Sequence, residues 1–196
     1  MNPQPIVLEG THARLEPLDS CHAEDLFAVG GDERIWLYLS RPKLASVADA
    51  REMIEAAKAA AADGSQLPFA IVERKSGRAV GSTRYLDIRR QDRGLEIGWT
   101  WLGTAYQRTP INTECKYLLL RHAFETLGAV RVQLKTDLRN RRSQKAIERL
   151  GAVREGVLRK HMVLWNGFIR DTVYYSVLDD EWPDVRRQLE ALLERT

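Results

Sequence analysis

The sequence predicts an α+β fold: one mixed, mostly antiparallel sheet with helices on both its faces. Three observations carry this. Three strand-like runs follow one another through short turns between residues 68 and 102. Two helix-like runs, residues 47–62 and 113–127, flank that block. An Asn166-Gly167 pair separates two further strand-like runs near the C-terminus. Strands and helices mixed along 196 residues fit one domain, residues 1–196, with a core over about 8–178.

The elements follow in order. Residues 12–18 alternate and read as a first strand. Asp19 or Ser20 is placed to cap a short helix that reaches about Val29, where Gly30-Gly31 ends it. Ser46, with Asp49 three residues on, forms a capping box for the alanine-rich helix 47–62. Asp63-Gly64 stops that helix. Residues 68–73, 79–88 and 95–102 then read as an antiparallel meander, with turns at Ser76-Gly77 and residues 89–93. In residues 113–127, Cys115, Leu118, Leu119, His122, Ala123 and Leu127 fall on one helical stripe, and Gly128 is placed to end it. Residues 130–136 read as a strand. Asn140 is placed to cap a helix over 141–150, which Gly151 terminates. Residues 153–163 and 168–178 form a hairpin around the two-residue turn Asn166-Gly167, and a last helix runs from 182 to about 195.

Composition narrows the function. The net charge of +3 is too mild to require a nucleic acid partner. Cys21 and Cys115 match no metal motif and are too few for a disulfide scaffold, so a reducing cytoplasm is the expected compartment. His122 and His161 have no metal-ligand spacing, and no metal is expected; His122 reads as a core histidine. Residues 1–16 lack the long apolar run of a signal peptide, and no stretch is long and apolar enough for a membrane span. No motif fixes the oligomeric state, and a homodimer is one possibility.

The junction near residues 102–110 leads from a strand into a helix. First-turn amides there lack helical partners and carry partial positive charge, a natural seat for a diphosphate. Thr109-Pro110 reads as N-cap followed by N1, where proline loses nothing. The amides of Ile111, Asn112 and Thr113 follow, and Arg108 offers a fork of donors. On the strand before it, Glu96 lies opposite Leu95, Ile97, Trp99 and Trp101 and shares its face with Gly98, whose missing side chain leaves room. Trp36, Tyr38, Tyr85, Trp99, Trp101 and Trp165 read as core or pocket wall. Residues 139–160 hold eight basic residues against Glu148 and Glu155. They read as a solvated face, as an attractor for a polyanionic nucleotide, or as an RNA surface, although no aromatic interleaving supports RNA.

The element order, with Leu95-Glu96-Ile97-Gly98-Trp99, the string from Tyr106 to Glu114, Asn140-Arg141-Arg142-Ser143 and Arg149-Leu150-Gly151-Ala152, resembles the GCN5-related N-acetyltransferase (GNAT) family. Local strings are similar to its ribosomal-protein-acetylating (RimJ/RimL-like) branch. The resemblance implies an acyl-CoA N-acyltransferase fold, its sheet splayed at a cofactor cleft between residues 96–102 and 131–136. It implies acetyl transfer from acetyl-CoA to a small amine or a peptide N-terminus.

On that resemblance Glu96 is the expected base, and Ser143 the acid for the departing thiolate. Ile147 stands where the family's tyrosine falls. Trp101, Leu102, Gln107, Arg108, Thr109, Ile111, Asn112, Thr113, Asn140 and Ser143 are expected at the cofactor. Trp36, Tyr85 and Gly98 are expected at the acceptor. Arg108, Pro110 and Asn112 stand where the family has glycines or a small residue. Two other readings remain: a module of the same fold that binds acyl-CoA without turnover, and an RNA-associated protein.

Overall fold

A computed structural model describes residues 1–195; Thr196, the last residue of the expected domain, lies outside them. Eight strands form one sheet in the order β1-β2-β3-β4-β5-β6-β8-β7. They are β1 (Leu8–Glu9), β2 (Ala13–Pro17), β3 (Leu67–Glu73), β4 (Ala79–Arg89), β5 (Gly94–Leu102), β6 (Arg131–Asp137), β7 (Val153–Val163) and β8 (Ile169–Leu178). Every neighbouring pair is antiparallel except β5 and β6, which run parallel.

Helices cover both faces. α1 (Ala23–Gly30), α2 (Glu33–Trp36) and α3 (Val47–Ala61) pack on one face. Leu26, Trp36, Ile54 and Trp101 close a core there. α4 (Pro110–Arg121), α5 (Arg141–Arg149) and α6 (Trp182–Glu194) serve the larger core on the other face, with Leu15, Phe69, Tyr85, Leu95, Leu118 and Leu189. The caps follow the sequence: Ser46 and Asp49 make the full capping box, and Asn140 Oδ1 accepts the Ser143 amide at 3.0 Å.

Several expectations need correction. Trp101 does not share a face with Leu95 and Ile97. Arg84 pairs with Gly98 but Ser82 pairs with Trp101, so β5 carries one extra residue between them. Trp99 sits there with φ 50°. This bulge shifts the strand's phase, so Leu95 and Ile97 face α4 while Trp101 packs, on the opposite face of the sheet, against the tilted ring of Trp36 with centroids 4.9 Å apart. The hairpin turn is not the two-residue type. The Gly167 amide donates to Leu164 O, and Leu164 N to Phe168 O, so Trp165, Asn166 and Gly167 form a three-residue loop. Only Gly167 of these has positive φ, whereas the shorter turn needs it at both positions. Trp165 at this tip is exposed, not core. The helix that carries the 113–127 stripe starts at Pro110 with Thr109 at its N-cap position, as the Thr109-Pro110 junction predicts, and ends in a single wide π turn, His122–Thr126, closed by Leu127 N to His122 O. β1 and α2 are too short to leave a periodic signal.

α4 buries two charges against the sheet. Glu114 accepts the amides of Thr11, His12 and Ala13 at 2.6–2.7 Å, which ties the β1–β2 turn to the helix. Lys116 donates from Nζ to Thr100 Oγ1 at 2.5 Å. Burial pulls its ammonium down from 10.5 to about 8.

Two outcomes are expected. Glu114→Ala leaves three amides unpaired and should lower the urea-unfolding free energy by roughly 2–4 kcal/mol; a loss under about 0.5 kcal/mol would dismiss the tie. For Lys116 the unfolded chain holds a proton between about pH 8 and 10.5 that the folded chain releases, so its contribution to stability rises with pH across that window. Urea midpoints of wild type should therefore gain on those of Lys116→Met from pH 8 to pH 10, and a constant gap would refute the shift.

Candidate active site

β5 and β6 share only three residue pairs, Gly94–Arg131, Leu95–Val132 and Glu96–Gln133. Beyond Glu96 they part. Each stays paired on its outer side, β5 with β4 through Leu102 and β6 with β8 through Asp137. The gap between them opens into a cleft of about 600 Å³. Among the described residues, seven cationic side chains and one carboxylate, Glu96, line it.

The parting leaves backbone groups without strand partners. Gly103 N donates to Val80 O across the Gly81–Leu102 pair. By the alternation of an antiparallel ladder, Trp101 then turns its N–H toward β4, and Leu102 turns both its N–H and its C=O toward the cleft. Gln107 Nε2 donates to that carbonyl at 3.0 Å. The Leu102 N–H is left facing the cleft, while the N–H of Trp101, a residue expected at the cofactor, is spent on the sheet.

At the start of α4, the Thr109 side chain does not cap the helix. Its hydroxyl donates instead to Tyr106 O at 2.8 Å. In a helix that starts at Pro110, the Thr113 amide closes the first turn on the Thr109 carbonyl. The free amides are therefore those of Ile111 and Asn112, two rather than the expected three. Arg108 precedes them in the left-handed region, φ 65°.

α5 closes the cleft from the β6 side. Arg142, Lys145 and Arg149 recur at helical spacing and all line the cleft, as do Asn140 and Ser143. Arg142 Nη1 donates to Gln107 Oε1 at 2.7 Å, so Gln107 links α5 to the end of β5. Residues 139–160 thus do not form one basic face. Arg139 is spent on Asp137 at 2.7 Å and lies over the Phe168 ring, while Arg154, Arg159 and Lys160 are exposed on β7.

Toward the opposite end, Glu96 is 1% exposed. Its Oε2 takes Lys135 Nζ at 3.0 Å and Gln133 Nε2 at 3.0 Å. Its Oε1 faces Gly98, where a Cβ would stand 2.7 Å from it. The room beside Glu96 depends on that glycine. Ile35, Tyr38, Leu39, Ser40, Met162 and Arg170 complete this end.

Gly98, Trp101, Leu102, Gln107, Arg108, Thr109, Asn112 and Thr113 also line the cleft. The Ile111 side chain lies in the core, so only its amide is positioned to serve a ligand. Two acceptor residues are misplaced by sequence reasoning. Tyr85 is fully buried, its hydroxyl donating to Leu119 O at 2.6 Å beside His122. Trp36 is buried behind the cleft and donates to Gly30 O. Tyr38 and Leu39 line the Glu96 end of the cleft instead. Lys116, Lys135 and Arg170 were missed: single cations inside apolar periodic runs leave no motif.

Known proteins resemble this chain in sequence and in fold. The sequence model of the Acetyltransferase (GNAT) domain matches residues 12–153. The solved structure of a protein from T. thermophilus, assigned as an acetyltransferase, is 43% identical, covers 98% of this chain and 100% of its own, and superposes with a TM-score of 0.89. Mycobacterium smegmatis RimJ in complex with CoA-disulfide is 20% identical and shares the fold, with a TM-score of 0.83 over 98% of this chain and 97% of its own. Bacillus subtilis (strain 168) YdaF, assigned as a ribosomal N-acetyltransferase, is 32% identical over 106 residues, 54% of this chain; the match spans 57% of that relative's length. With its domain match running from β2 to the start of β7, and so across the whole of the parted β5–β6 pair, the chain belongs to the GNAT family of N-acetyltransferases.

Proposed function

We propose that the protein moves the acetyl group of acetyl-CoA directly to a primary amine held between β5 and β6. The observation that carries this reading is the parting of those strands over a cleft where, among the described residues, one carboxylate, Glu96, stands among seven cations. Such a lining suits a polyanionic nucleotide at one end and a proton acceptor at the other.

The residues fit the cofactor. The Ile111 and Asn112 amides and Arg108 would hold the pyrophosphate, and Arg142, Lys145 and Arg149 would neutralise the remaining phosphate charge. Acetyl-CoA, when bound, supplies a thioester whose carbon–sulfur bond breaks as the carbon–nitrogen bond to the amine forms. The Leu102 N–H donates to the carbonyl oxygen as negative charge builds there. Glu96 takes the ammonium proton through Oε1, with Lys135 and Gln133 holding Oε2. The Ser143 hydroxyl would give a proton to the departing sulfur and regain one from the second proton that the nitrogen sheds as the amide forms, so that Glu96 holds the one proton released overall. Placement of the two reactants in one cleft supplies much of the remaining rate.

A protein N-terminus as acceptor draws support from the assignment of YdaF to ribosomal acetylation. A small amine draws support from the walls that Tyr38, Leu39 and Met162 set around the acceptor end. Thiol release from acetyl-CoA, followed against a panel of amines and peptides, tests the transfer. Glu96→Ala should lower kcat about 100-fold with the KM for acetyl-CoA unchanged. Binding of CoA with no thiol release from any amine would favour a sensor module over an enzyme. Arg142→Ala should raise the KM for acetyl-CoA about tenfold at low ionic strength and less at high salt; an unchanged KM would remove α5 from cofactor binding.

A further inference from the structure

Arg170 is a buried cation that the proposed transfer does not use. It lies on β8, opposite Met162 of β7, and is 7% exposed. It lines the acceptor end of the cleft with Tyr38, Leu39 and Ser40. Its guanidinium makes one long hydrogen bond, Nη1 to Tyr38 O at 3.4 Å. Its Nε is buried with no hydrogen-bond partner. Among the described residues no carboxylate lies within ion-pair distance of it.

The two carboxylates that act on Arg170 from farther away are both engaged. Asp137 is clamped by Arg139 through Nε at 3.0 Å and Nη2 at 2.7 Å. Glu96 is held by Lys135 and Gln133. A guanidinium has five donors in a planar fork that matches a carboxylate, and burying it unpaired is costly. The electrostatics point the same way. Among the described residues that line this end, a plain ammonium meets Lys135 and Arg170 against one carboxylate, Glu96. An amine with its own negative group brings the missing partner.

Resting on the acetyl-transfer reading, we propose that the acceptor is an amine bearing a carboxylate close to its amino group, and that the Arg170 guanidinium receives that carboxylate. The shared chemistry has two sources: a free amino acid, or a peptide whose first residue is Asp or Glu. Tyr38, Leu39 and Met162 form the wall against which the rest of the acceptor packs.

The test pairs each carboxylate with its neutral counterpart. Thiol release from acetyl-CoA is measured with L-amino acids against their amides, and with peptides starting in Asp or Glu against those starting in Asn or Gln. Wild type, Arg170→Gln and Arg170→Lys are compared, with melting curves to confirm folding. At least one carboxylate-bearing amine should exceed its neutral partner about tenfold in kcat/KM, and the responding series identifies the source. Arg170→Gln should abolish that preference by raising the amine KM about tenfold, with the KM for acetyl-CoA unchanged. Arg170→Lys should restore part of it. Neutral partners that react equally well in wild type, or an Arg170→Gln loss shared by both members of a pair, would overturn the assignment and leave acetyl transfer standing.

Calorimetric titration of the CoA-saturated protein with the N-acetylated forms of the same panel separates the two readings. Arg170-dependent binding without any turnover would uphold the carboxylate site and remove the transfer. Neither turnover nor binding would remove both.

Discussion

β5 and β6 are parallel neighbours that stop being neighbours after three residue pairs, and the site is built on that failure. A parallel ladder left intact to Leu102 would consume the Leu102 N–H and close the space between the strands. The bulge at Trp99 prevents it by adding a residue to β5 and bending the strand just past Glu96. The pairing that is lost inside is kept outside, because β4 and β8 hold the two strands along their lengths. The cleft is therefore an opening within one continuous sheet.

The opening sorts charge along its length. Arg108 and the α5 cations gather where α4 begins, while Glu96, Lys135 and Arg170 gather at the other end. Between them the Leu102 backbone is the polar point of a narrow passage, its carbonyl already engaged by Gln107. Gln107 also receives Arg142, so the strand end, the loop and α5 share one side chain. One end of the cleft is therefore a cluster of cations, and the other a buried carboxylate with two cations beside it.

Local chemistry was legible in the sequence, and phase was not. Ser46 with Asp49, and Asn140 with Ser143, act within three residues, and both caps stand as read. Face assignments along β5 depend on an unbroken period of two, and one inserted residue reversed Trp101. Gly98 was the available signal, since a lone glycine inside a strand marks a bulge or a close approach. Tyr85 and Trp36 read as walls because aromatic residues serve cores and pockets alike; their hydroxyl and indole partners, Leu119 O on α4 and Gly30 O at the end of α1, are set by how the helices pack. Lys116, Lys135 and Arg170 owe their environment to packing between elements far apart in the chain, so no spacing foretells them.

The loop before α4 shows how the same seat is reached without the expected glycines. Arg108 adopts the left-handed conformation that glycine takes more cheaply, and its side chain adds a cation where glycine would add none. Pro110 stands at the one position whose N–H a helix does not use. Thr109 has the right chemistry to cap the helix, a contact worth about 1 kcal/mol, yet its hydroxyl is turned to the Tyr106 carbonyl. The Ile111 and Asn112 amides are thereby left without a side-chain partner at a helix terminus beside cationic α5. A helix start that forgoes its own cap keeps its partial positive charge open beside those cations, the electrostatic setting that an anion favours, and the missing glycines change the cost of the loop without closing that start.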